Sequence, residues 1–173
     1  MTEAEQRPVG FADKPNEGAE RAAVVREAHG WLRTPYHPCA KVRGVGVDCA
    51  QLPAAVYADA GVIAGITHGA YSPQWHMHHD DELYLAEVTS HAREIAGPPL
   101  PGDFVLYQVG RCWAHGAIVV AWPTIIHALS GVGVVLGNGL LDPLAKKRLG
   151  ERRPRFFTLW PAAEGLQSTG EVP

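Results

Sequence analysis

Three residues of this chain have the types and the spacing for covalent chemistry. Cys49 follows Asp48 at the end of a Gly/Val-rich run, Gly44-Val45-Gly46-Val47, and an Ala-rich apolar segment comes next. Asp is a strong helix N-cap, and Gln51 three residues on completes a capping-box pattern, which places Cys49 in the first turn of a helix. Unpaired backbone N–H groups and the positive end of the helix dipole favour a thiolate there. The expectation is therefore a thiol pKa below the free-cysteine value of roughly 8.5, with the thiolate as nucleophile. Taken alone, such a cysteine is better read as a small buried apolar residue. Two histidines change the balance. His115 heads the β-branched run His115-Gly116-Ala117-Ile118-Val119-Val120, and His127 sits inside Thr124-Ile125-Ile126-His127-Ala128. On adjacent antiparallel strands both imidazoles can face one spot. A cysteine, a base and a third group that orients the base are the parts of a thiol hydrolase.

The elements that must position these residues follow from periodicity. Ala22, Val25, Ala28 and Leu32 recur at helical spacing over 18–33, and Pro35 stops that helix because the residue before proline avoids helical geometry. A loop over 34–47 delivers the chain to Cys49. The helix after it runs to Gly61, a good C′ residue. Pro53 is an anomaly in that helix, since it removes the N–H that would bond the carbonyl of Cys49. A further helix is expected over 80–96, from Leu83, Leu85, Val88, Ala92 and Ile95, ending at Gly97-Pro98-Pro99. Strands follow at 103–109, 115–121, 124–129 and 132–136, with turns at 110–113, 122–123 and 130–131. The segment 137–150 reads as a short helix and 155–160 as a last strand. Helices first and a meander of strands after them give an α+β domain with the helices packed on one face of an antiparallel sheet.

Other residues were weighed for chemistry. His76, His78, His79 and Asp80 fall within five positions, which invites a metal site. His76 and His78 would point to opposite sides if extended, and no H-E-x-x-H pattern is present, so the segment reads as a polar loop anchored by Trp75. No metal or other cofactor is expected. The cysteines at 39, 49 and 112 form no C-x-x-C pair and suit a reducing compartment of synthesis, with Cys39 and Cys112 as spectator thiols. A net charge of −3 gives no reason to expect nucleic acid as partner. No apolar run approaches the ~18 residues of a membrane span, and the polar N-terminal stretch lacks the apolar region of a signal peptide. Residues 1–17 read as a flexible or partner-bound arm, 18–161 as one domain and 162–173 as a polar tail.

The chain also resembles a known family, the NlpC-type cell-wall cysteine peptidases, in particular versions encoded with bacteriophage tails. The matching pieces are Thr34-Pro35-Tyr36, Gly46-Val47-Asp48-Cys49, Pro101-Gly102-Asp103, His115-Gly116-Ala117-Ile118 and Ile126-His127-Ala128, in the family's order over most of 20–160. One departure is clear: the family reads Asp-Cys-small-Gly-Leu where this chain has Asp48-Cys49-Ala50-Gln51-Leu52-Pro53. The resemblance implies a compact papain-like fold and cleavage of peptide bonds in peptidoglycan stem peptides. It implies Cys49 as nucleophile, His115 as base and His127 as its orienter. Tyr36, and less directly Asp48, would stand at the cleft by the oxyanion, while Gln51, Trp75 and His76 would border the substrate. It further implies a place in the virion, at the tail tip, with the terminal arms meeting other tail proteins.

Overall fold

The computed structural model describes residues 17–65, 83–109, 112–140 and 154–161. The expected N-terminal arm (Glu17 apart), the C-terminal tail, Trp75, the histidines at 76, 78 and 79, and the segment 141–150 lie outside the described residues.

Three helices are present among the described residues: α1 (Glu17–Gly30), α2 (Gln51–Asp59) and α3 (Leu83–His91). A two-residue hairpin precedes α2, formed by β1 (Lys41–Val42) and β2 (Gly46–Val47). The main sheet has β3 (Arg93–Ile95), β4 (Phe104–Val109), β5 (Cys112–Ala121), β6 (Thr124–Leu129), β7 (Gly133–Asn138) and β8 (Arg155–Thr158). Their order is β3-β8-β4-β5-β6-β7, and every pair is antiparallel. All three helices pack on β5. This is the α+β architecture that the order of helical and strand periodicities predicts.

Side-chain alternation explains the two-sided burial. Leu106, Ile118, Ile126 and Phe157 face the helices and meet Val24, Leu52 and Val56, all fully buried. Each such side chain contributes roughly 2 kcal/mol of apolar burial. Val105, Tyr107, Ala117, Val119 and Ile125 form a second cluster on the other face. Continuous burial on both faces is why β4 and β5 read as apolar runs rather than as alternating strands.

Four sequence expectations are corrected. Residues 93–95 form a strand and not the end of a helix, because Arg93, Glu94 and Ile95 pair with Thr158, Phe157 and Phe156. Cys112 and Trp113 belong to β5 and not to a turn, since they pair with Val109 and Gln108. Gly137 and Asn138 extend β7 against Ile125 and Thr124 instead of opening a helix. The loop before Cys49 contains the β1–β2 hairpin, with Gly44 at φ 76° in its turn.

The remaining connections match local chemistry. Gly61, at φ 75°, closes α2: its N–H bonds Ala58 O (3.0 Å) and the N–H of Val62 bonds Tyr57 O (3.0 Å), a Schellman arrangement. The Pro101-Gly102-Asp103 turn is a structural hub. Asp103, 1% exposed, accepts from Arg21 (2.8 Å) and from the N–H of Leu100 (2.8 Å), and Tyr57 donates to Gly102 O (2.8 Å). Arg21 also bonds Thr158 (3.1 Å) and stacks on Trp160 (3.9 Å), joining α1 to the end of β8.

Candidate active site

The nucleophile turn is built by Asp48. Its Oδ1 accepts from the N–H groups of Ala50 (3.0 Å) and Gln51 (2.9 Å), and its Oδ2 from that of Cys39 (2.7 Å). Its own carbonyl receives the N–H of Leu52 at 3.0 Å, the first helical bond of the segment. Asp48 thus does what an N-cap does, although regular helical geometry begins only at Gln51. It also clamps the preceding loop through Cys39, which sits at φ 60°. Cys49 follows at the head of α2. Gln51 is 5% exposed and points into the protein.

Tyr36 is brought to the sulfur by backbone pairing. Arg33 N–H bonds Val134 O (2.9 Å) and Val134 N–H bonds Thr34 O (2.9 Å), which fastens the segment to the edge of β7. Gly133 must lack a side chain there, because a Cβ would meet the carbonyl oxygen of Thr34 at 2.6 Å. Tyr36 then pairs with Val47 in a parallel bridge, one residue before Asp48. From this position Tyr36 acts on the Cys49 thiol in the direction that favours the thiolate.

The sulfur meets β5 next to His115, where the thiol donates to Ala114 O (3.7 Å). The β5–β6 pairing begins further along β5, at Ile118↔Ile126. His115 and His127 lie on the same face as Tyr107 and Ala117, since their neighbours Gly116 and Ile126 face the helices. The His115 Nε2 and His127 Nδ1 atoms are 3.0 Å apart, and the rings meet edge to face. His115 is 7% exposed and His127 fully buried.

The shared proton can lie on His115 Nε2 or on His127 Nδ1, and the base role selects between them. For His115 to accept the thiol proton at Nδ1, its Nε2–H must donate to His127 Nδ1, which leaves His127 protonated at Nε2. His127 can then stabilise the imidazolium of His115 by accepting from it, as the third member of a triad does.

The thiol itself departs from expectation. Burial pushes Cys49 up to about 12, and the adjacent Asp48 carboxylate pushes in the same direction. Hydrogen bonds from Tyr36, from the N–H of Cys49 itself and from Gly116 act the other way without overcoming burial. The helix start supplies the donors that the sequence implies, but desolvation is the larger effect. Desolvation thus opposes the thiolate that the helix start favours. Burial likewise raises Tyr36, with Cys49 and Asp48 adding to it, so its hydroxyl stays protonated and available as a donor.

The structure brings Tyr36, Asp48, Cys49, Gln51 and the residues around His115 to one place, with His127 behind His115. Trp75 and His76 fall outside the described residues. No group of three or more His, Cys, Asp or Glu residues able to hold a metal ion occurs among the described residues. Sequence reasoning missed Tyr84, whose hydroxyl donates to the carbonyl of Cys49 (3.1 Å). The one signal for it was Pro53, which leaves that carbonyl without its helical donor.

No protein-family profile matches the chain, and no curated protein sequence matches it either. Solved structures do. The NlpC/p60 domain of the peptidoglycan hydrolase SagA is similar over 69% of this chain and 89% of its own, with 25% identity and a TM-score of 0.50. A Staphylococcus aureus protein described as similar to a lipoprotein of the NLP/P60 family matches 87% of this chain, with 18% identity and a TM-score of 0.53. An NlpC/P60 family protein from Bacillus cereus matches 77% of it, with 17% identity and a TM-score of 0.51. The chain spans less than half the length of these last two, 44% and 39%. Its α+β fold, with a cysteine at the head of a helix and two histidines on neighbouring strands, is thus the fold of the NlpC/p60 cell-wall peptidase domains.

Proposed function

We propose that this chain is a cysteine endopeptidase that cleaves peptide bonds in peptidoglycan stem peptides through a thioester. The observation that carries the reading is the thiol of Cys49 seated on the carbonyl of Ala114, the residue before His115, whose ring is held by His127. His115 takes the thiol proton as the sulfur attacks the carbonyl carbon. The C–N bond breaks, and His115 returns that proton to the leaving amine. Water, deprotonated by the same imidazole, then hydrolyses the thioester and restores the thiol. The Tyr36 hydroxyl and the N–H of Cys49, both at the sulfur, are the donors for the oxyanion. Asp48 acts by holding the turn, and Trp75 and His76 are the remaining candidates for substrate contact. The likeness to the SagA domain supports peptidoglycan as the substrate class. The ordered motifs from Tyr36 to His127 support a phage-tail setting, in which the enzyme rides at the tail tip and opens the wall for genome entry, its terminal arms bound to tail proteins.

Digestion of purified peptidoglycan, with mass-spectrometric identification of the new termini, tests the activity. The wild type should release peptides with new amino termini, and Cys49→Ala, folded by circular dichroism, should release none. Equal release by both would remove the thiol from the reaction. Immunodetection in purified virions tests the setting; a protein found only in the lysate soluble fraction would contradict it.

The raised thiol favours a second reading: a tail component that keeps the fold but is catalytically silent. Under it, the wild type leaves peptidoglycan intact while deletion of the protein stops particle assembly.

A further inference from the structure

We propose that Tyr84 is a positioning residue for the nucleophile, supplying from α3 the hydrogen bond that Pro53 removes from α2. In the helical run that starts at Asp48, the carbonyl of Asp48 is bonded by Leu52 N–H, and the carbonyl of Cys49 would next be bonded by residue 53. Pro53 has no N–H to give. The carbonyl that loses its partner belongs to the nucleophile itself. Tyr84 fills the gap: its hydroxyl donates to Cys49 O at 3.1 Å. The residue is 7% exposed, and its ring packs edge-on against Phe104, with centroids 6.2 Å apart.

The third partner is glycine 116. A Cβ there would run into the Tyr84 hydroxyl and the Phe104 ring. The absence of a side chain at Gly116 therefore lets the Tyr84 hydroxyl reach the carbonyl. Cys49 is held at its carbonyl by Tyr84, at its sulfur by Ala114 O and through the turn by Asp48. Because Tyr84 comes from a different helix, movement of α3 bears on the placement of the sulfur.

The inference rests on the peptidase reading for its kinetic arm only. Tyr84→Phe keeps the ring and removes the bond. It should lower kcat about tenfold with KM within about twofold, since a small misplacement of a reacting group costs rate rather than binding. Amide exchange at Ala50 and Gln51, whose N–H groups rest on Asp48, should rise by about the same factor as the turn loosens. Pro53→Ala restores a backbone donor to the Cys49 carbonyl, so the double variant Pro53→Ala/Tyr84→Phe should regain most of both losses. Tyr57→Phe is the control: it deletes another buried hydroxyl, bonded to Gly102 O, and should leave exchange at Ala50 and Gln51 unchanged. Unaltered exchange in Tyr84→Phe, or a double variant that exchanges as fast as Tyr84→Phe, overturns the proposal. An inactive wild type would overturn the peptidase reading alone, because the exchange data still decide whether Tyr84 holds the turn.

Discussion

At the scale of single residues, the Cys49 thiol lies beside the strand that carries His115, and His115 is bonded to His127. Burial first and Asp48 second push the thiol up to about 12, so the proposed mechanism has His115 make the attacking thiolate during the reaction. Alkylation of Cys49 by iodoacetamide, followed peptide by peptide, should therefore keep accelerating as pH rises beyond 9 towards 12. A plateau already reached below pH 7 would instead mean a thiolate–imidazolium pair at rest. His127 works through His115, so His127→Ala should lower kcat by about a hundredfold while KM moves within about twofold. His127→Gln, whose carboxamide oxygen can accept from the His115 Nε2–H, should recover part of that loss. Equal kinetics for wild type and His127→Ala would remove the orienter. The chemical residues were legible because their types and neighbours are informative in one dimension: Asp before Cys, His at the head of an apolar strand. The thiol's protonation was not. A helix start is a local signal, whereas desolvation depends on what the fold packs around the thiol.

At the scale of elements, short strands were the hard part. Ile95 falls on the helical period of 83–92, and only pairing with β8, some sixty positions away, makes 93–95 a strand. The β1–β2 hairpin has two residues per strand and no apolar alternation, so nothing local marks it. Long strands with β-branched runs, such as 115–121, were readable. The Pro101-Gly102-Asp103 turn was visible as a motif but not as a hub, because its partner Arg21 lies on α1. Asp103→Ala should lower stability by on the order of 2 kcal/mol, since it takes from Arg21, 12% exposed, the buried one of its two carboxylates (Glu17 remains) and removes the acceptor of Leu100 N–H. Thermal unfolding checks this. A melting temperature within a degree or two of wild type would show that the hub is dispensable.

At the scale of the whole molecule, three acids hold their protons above their ordinary values. Burial raises Cys49 to about 12, and it raises Tyr57 and Tyr36 above the usual tyrosine value. In the unfolded chain these groups ionise near their free values of roughly 8.5 to 10. Between those values and the raised ones the folded state binds more protons, so stability is fully present below about pH 8.5 and falls as pH rises. Melting temperature should decline steadily from pH 9 to 11, and Tyr57→Phe should blunt the decline. A flat profile would contradict it. The central claim, that Cys49 is acylated in the reaction, has a readout on the same whole chain. Rapid-quench intact-mass spectrometry of the protein mixed with a stem peptide should show a transient gain equal to the acyl half of the substrate, mapped to Cys49 and missing in Cys49→Ala. Substrate cleavage by Cys49→Ala at the wild-type rate, with no such adduct on the wild type, would contradict the account.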